Sequence, residues 1–194
     1  MAKLTVHLEH DDKCPGDPWW KLYSFNRRHV NFKHPSDLGL GSLDDFGDPK
    51  VQKPALARKL KNGTAFILSY FEHGSSLWFL RGDYVPGVEF QWDGRRVAGL
   101  LVWDAKLKLG DKKHMKQEAR QFLKGYTAWA NGEVYRYEIE DENGNHVASC
   151  GGFADQENLF SVIAGLTEGH EVEFVGDAKW LAQGRERKCE VQQN

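Results

Sequence analysis

Residues 95–150 constrain this chain more than any other stretch, because three hydrophobic patterns follow one another there. Residues 96–103, RVAGLLVW, are apolar almost throughout, the pattern of a strand covered on both faces. From about residue 111 the period changes. Met115, Ala119, Phe122, Leu123, Tyr126 and Ala130 recur at three- and four-residue spacing, which lines up one apolar stripe on a helix over about 111–130. Lys112, Lys113, Lys116, Arg120 and Lys124 mostly fall outside that stripe, and Asn131-Gly132 supplies a stop. Tyr135, Tyr137 and Ile139 then alternate with Arg136, Glu138 and Glu140, the period of a half-buried strand. Asn143-Gly144 reads as a two-residue hairpin turn, with residues 146–150 returning as the paired strand.

The flanking segments add strands and short helices. Leu4, Val6 and Leu8 alternate with polar residues, and residues 19–25 form a second, aromatic strand. Pro54 suits a helix start, and Asn62-Gly63 a helix stop. Residues 64–71 and 76–80 read as a β-hairpin. A helix at about 155–166 and a strand at 171–175 follow. Residues 33–50 and 81–94 are rich in Gly, Pro and Asp and read as long surface loops, and 185–194 as a frayed tail. The expectation is one α+β domain spanning 1–194. Its centre is a mostly antiparallel sheet, with the 111–130 helix and shorter helices packed on it.

Composition narrows the function classes. The net charge of −2 and pI of about 6.4 lack the basic excess of a general nucleic-acid binder. Charge is uneven: residues 95–124 hold nine Lys/Arg against three Asp/Glu, and residues 133–173 one Arg against ten Asp/Glu. The seven tryptophans are the compositional outlier, suited to anchoring cores, pockets or interfaces. Cys14, Cys150 and Cys189 are odd in number and widely spaced. That pattern points to no disulfide framework and no cysteine metal site, and to a cytoplasmic location. No apolar run has the length of a membrane span.

Several spaced motifs resemble a family of small accessory proteins encoded by bacteriophages, chiefly phages of actinobacteria. They are His73-Gly74-Ser75; Trp92-Asp93-Gly94 leading into residues 97–102; Gly132-Glu133-Val134-Tyr135-Arg136-Tyr137; and Ser149-Cys150-Gly151-Gly152-Phe153. Arg27-Arg28 also matches, whereas Asn26 stands where the family has histidine. The resemblance implies a cytosolic protein that binds and modulates a host protein, such as a defence or regulatory factor. It implies neither a reaction nor a cofactor.

Individual residues permit a second class of function, a nucleotide or signalling-molecule binder. Arg27, Arg28 and Arg95 are suited to bidentate phosphate contacts, and Trp92 with Asp93 to gripping a polar ligand at a strand mouth. His73, at a strand end, suits a phosphate contact or, in a third reading, a general base working with Asp93. Each residue has a plainer role as well: strand cap, turn or solvated arginine. No catalytic set and no metal-ligand spacing is recognisable, no P-loop occurs, and Gly39-Leu40-Gly41 does not complete a dinucleotide fingerprint. Cys150 is expected to be small, buried packing.

Overall fold

The computed structural model describes residues 2–13, 19–41, 52–88, 90, 93–106 and 109–176. Among them are strands β1 (Lys3–His10), β2 (Trp20–Ser24), β3 (Ala65–His73), β4 (Ser75–Leu80), β5 (Gly94–Trp103), β6 (Tyr135–Asp141), β7 (His146–Phe153) and β8 (Glu171–Gly176). The helices are α1 (Pro54–Asn62), α2 (Lys112–Ala130) and α3 (Gln156–Leu166). The chain is α+β, and its strands form two four-stranded sheets rather than one central sheet. They belong to two compact units, residues 1–15 with 128–194, and residues 16–127. The apolar strand 96–103 and the hairpin 135–150 look continuous with one core in sequence, but they serve different sheets.

In the first unit the strand order is β7-β6-β1-β8. The alternation of β1 buries Leu4, Val6 and Leu8 on one face. β6 pairs antiparallel with β1, and β8 pairs parallel with it on the other side. A parallel neighbour needs a crossover rather than a tight turn. Here the chain leaves β7, runs through α3 and returns as β8, with β6 and β1 lying between. Asp155 starts α3 by accepting a hydrogen bond from the Glu157 N–H at 2.9 Å. Leu159, Phe160 and Ile163 then cover Leu4, Val6, Leu8, Tyr137 and Ile139. The β6–β7 connection is four residues long, not two. Asp141 accepts from the N–H groups of Asn143 and Asn145, both at 2.8 Å, and so builds the turn from its first residue.

In the second unit the order is β2-β5-β3-β4, all antiparallel. β5 is central, and Ala98, Leu100, Leu101 and Trp103 are buried along it. α1 contributes Leu56 to a cluster with Phe25, Leu40, Ala65 and Leu100. Leu40 is 1% exposed, so the segment expected as a surface excursion puts a residue into the core. Its remainder, 42–50, lies outside the described residues, as do Trp92, Cys14, Cys189 and the expected tail. On α2, Met115, Ala119, Leu123 and Tyr126 are buried, and the Thr127 hydroxyl accepts from the Trp78 N–H at 3.0 Å. Asp83, in the segment expected as a surface loop, is tied to α2. It takes a two-pronged contact from Arg120 at 2.7 and 2.8 Å and a third from Lys116 at 2.9 Å. The Arg120 hydrogen bonds lead in holding its carboxyl below the usual carboxylate range.

Candidate functional site

The β3–β5 ladder is irregular: Leu68 pairs with Gly99 but Tyr70 pairs with Arg95. Residues 96–98 of β5 thus oppose Ser69 alone, and the buried Ser69 hydroxyl donates to the Arg96 carbonyl at 3.1 Å. Such a bulge bends its strand and re-aims side chains. Beside it the chain leaves β2 through a tight knot. The Ser24 hydroxyl accepts from the Asn26 N–H at 3.1 Å, and the Asn26 carbonyl oxygen of the side chain accepts from the Arg28 N–H at 3.1 Å. Together these segments frame a cleft of about 390 Å³, lined by Asn26, Arg28, Tyr70, Glu72, Asp93 and Arg95.

Four charged side chains line this cleft, two of each sign. Among the described residues, no ion pair joins Arg28 or Arg95 to Glu72 or Asp93. The carboxylates are held from elsewhere. The Tyr70 hydroxyl donates to Glu72 Oε2 at 2.9 Å and lies 3.0 Å from Ser76 Oγ. Burial pushes the Tyr70 phenol up. Asp93 Oδ2 lies 2.8 Å from His73 Nδ1. His73 itself lies outside the cleft lining and its side chain is 77% exposed. Alternation accounts for this, since Tyr70 and Glu72 share one side of β3 while Phe71 and His73 take the other. The Phe71 and His73 rings stack at 6.4 Å.

The residues expected to act together therefore divide. Arg28, Asp93 and Arg95 line the cleft; His73 braces Asp93 from behind; Arg27 is exposed and outside the lining. Trp92 lies outside the described residues. Asn26, Tyr70 and Glu72 were missing from the expected set. Two signals point to them: the Asn-x-Arg turn pattern at 26–28, and the two-residue period along β3.

His29 lies behind the cleft wall, edge-on to Tyr70 and Trp78 at 5.3 and 5.5 Å. Its Nε2 lies 3.5 Å from the Asn26 side-chain nitrogen and its Nδ1 2.8 Å from Ser24 Oγ. Burial pushes the His29 imidazole below its ordinary value; Glu72 opposes this and Arg95 adds to it. The unfolded chain therefore binds more protons here than the folded one, so stability rises with pH. His29's contribution is complete above about pH 6.5 and is lost as pH falls through its lowered folded value. The melting temperature is expected to fall between pH 7 and pH 5, with a shallower slope in His29→Asn. Equal slopes in the two proteins would refute this.

A second cleft of about 200 Å³ lies in the first unit, lined by Asp11, Lys13, Arg136, Tyr137, Ser149 and Cys150 among others. Its charges are largely spent internally. Arg136 is paired with Glu9, and Asp11 accepts from the N–H groups of Lys13 and Gly152 at 3.1 and 2.8 Å. A β-carbon on Gly151 would collide with the Asp11 carboxylate. Cys150 is a free, exposed thiol, not buried packing, because β7 is an edge strand with one side open. Among the described residues no group of three His, Cys, Asp or Glu side chains can hold a metal ion. Among them, too, no helix is long and apolar enough to cross a membrane.

No family model, curated protein or solved structure matches this chain. The expectations of bacteriophage origin, host modulation and anti-defence activity are corrected accordingly. Their motifs have local explanations. His73-Gly74-Ser75 is the β3–β4 turn, and Gly151-Gly152 makes room for and bonds Asp11. The motifs also divide between the two units. Short segments that satisfy the same turn chemistry look alike without common descent.

Proposed function

We propose that the cleft of the 16–127 unit binds a small phosphorylated ligand of the nucleotide or signalling-molecule class and sequesters it. One observation carries this reading: Arg28 and Arg95 line one cleft and, among the described residues, neither is held in an ion pair. Guanidinium groups offer paired donors that match phosphate oxygens. The volume of about 390 Å³ falls within the range of small-molecule sites.

Binding raises the melting temperature by mass action, so a thermal-shift screen with mono-, di- and cyclic nucleotides reads it directly. Arg28→Ala and Arg95→Ala are each expected to weaken binding about tenfold, from the usual size of a charge-assisted hydrogen bond. A flat screen would sink the proposal. His73 lies outside the cleft lining and reaches the ligand only through Asp93, so the reading carries binding and no base on the bound phosphoester. Phosphorus NMR of the bound nucleotide is expected to show it intact.

A further inference from the structure

The two arginines have two carboxylates beside them, and this balance limits what the cleft can hold. Glu72 and Asp93 offset the charge of Arg28 and Arg95, so a bare anion meets attraction and repulsion together. The carboxylates are poised rather than consumed. Glu72 has Oε2 fixed by Tyr70, and Asp93 has Oδ2 fixed by His73. Among the described residues, no hydrogen bond engages Glu72 Oε1 or Asp93 Oδ1. A carboxylate is acceptor-only and best satisfied by hydroxyl or ammonium donors.

We infer that Glu72 and Asp93 are specificity-determining residues, and that the ligand is a sugar phosphate, free or as part of a nucleotide. Its phosphate engages Arg28 and Arg95, and its hydroxyls donate to the open carboxylate oxygens. This rests on the phosphate-binding reading above. The Tyr70–Ser76 pair on one side and His73 on the other act as positioning groups, since each fixes one oxygen of a carboxylate and leaves the other to the ligand. A ligand that carries phosphate and hydroxyls satisfies both signs of charge at once, whereas inorganic phosphate satisfies one and opposes the other.

Calorimetry at fixed pH with the full chain tests this, using inorganic phosphate, ribose 5-phosphate, 2-deoxyribose 5-phosphate and 2-aminoethyl phosphate. Ribose 5-phosphate is expected to bind at least about tenfold more tightly than inorganic phosphate, with the deoxy sugar between them. Glu72→Ala should remove most of that gain while leaving inorganic phosphate binding equal or tighter, because one repulsive charge is gone. Glu72 is exposed and Tyr70 keeps Ser76 as a partner, so the variant should fold; its melting temperature checks this. If ribose 5-phosphate binds no better than inorganic phosphate, the specificity assignment falls and the phosphate site stands. Tighter binding of 2-aminoethyl phosphate would also overturn it, by assigning the carboxylates to an ammonium group. If none of the four binds and the nucleotide screen is flat, both readings fall.

Discussion

Gly99→Ala is expected to lower the unfolding free energy by about 3 kcal/mol, the upper end of the usual cost of overpacking a core. A β-carbon at this position would sit 2.6 Å from the Tyr23 carbonyl oxygen and 3.1 Å from the Trp78 ring. The carbonyl belongs to the neighbouring strand, where Tyr23 pairs with Leu100 and Ser24 with Gly99. It can withdraw only by stretching the β2–β5 ladder. That ladder leads directly into the Ser24–Asn26 knot and the start of the cleft, so the substitution should also weaken ligand binding. Gly125→Ala is the control. A β-carbon there meets nothing within 4 Å, and the position lies inside α2. Alanine in a helix is favoured over glycine by about 0.5–1 kcal/mol, so this variant should be equally or more stable. Denaturant titration followed by tryptophan fluorescence reads both. A Gly99→Ala midpoint indistinguishable from the parent would show that the strands have room to spare.

Leu159→Ala is expected to cost about 3 kcal/mol, in line with leucine truncations that leave a cavity. Leu159 is fully buried, and α3 lays it with Phe160 and Ile163 against β1 and β6. The crossover from β7 to β8 depends on this contact, because α3 is the segment that carries the chain across the sheet. Val162, on the same helix, is 36% exposed. Val162→Ala should stay within about 0.5 kcal/mol, as is usual for surface changes. Circular dichroism during urea unfolding should separate the two variants. Similar midpoints for both would mean that α3 does not cover this sheet as described.

Much of the secondary structure was legible because it depends on neighbours in sequence. The alternation of Leu4, Val6 and Leu8 and the buried Met115, Ala119, Leu123 and Tyr126 of α2 follow from periods within a few residues, whereas Asn143-Gly144 marks the place of the turn but not its four-residue length, which Asp141 sets. The candidate site was legible only in part. Arg28, Asp93 and Arg95 were expected and line the cleft. Arg27 was expected and does not, because consecutive residues in the 26–29 turn point different ways. Glu72 and Tyr70 are not legible as site residues, because a two-residue period along β3 says which residues share a side, but not that this side ends beside an arginine turn.

The sequence by itself determined the strand and helix segments, the α+β class and the supply of arginines near two strand ends. Those properties are set by local hydrogen bonding and by the repeat of apolar side chains. Only the tertiary structure decided that the strands divide between two sheets. It alone decided that β8 joins β1 in parallel, though Lys3 and its partner Glu171 lie far apart in the chain. It also decided which charges are spent and which remain open. Arg136 is paired with Glu9 and Arg120 with Asp83, while Arg28 and Arg95 face a cleft. Composition counts these arginines alike. Their difference is one of distance to a carboxylate, and Coulomb energy and hydrogen bonding both depend on that distance.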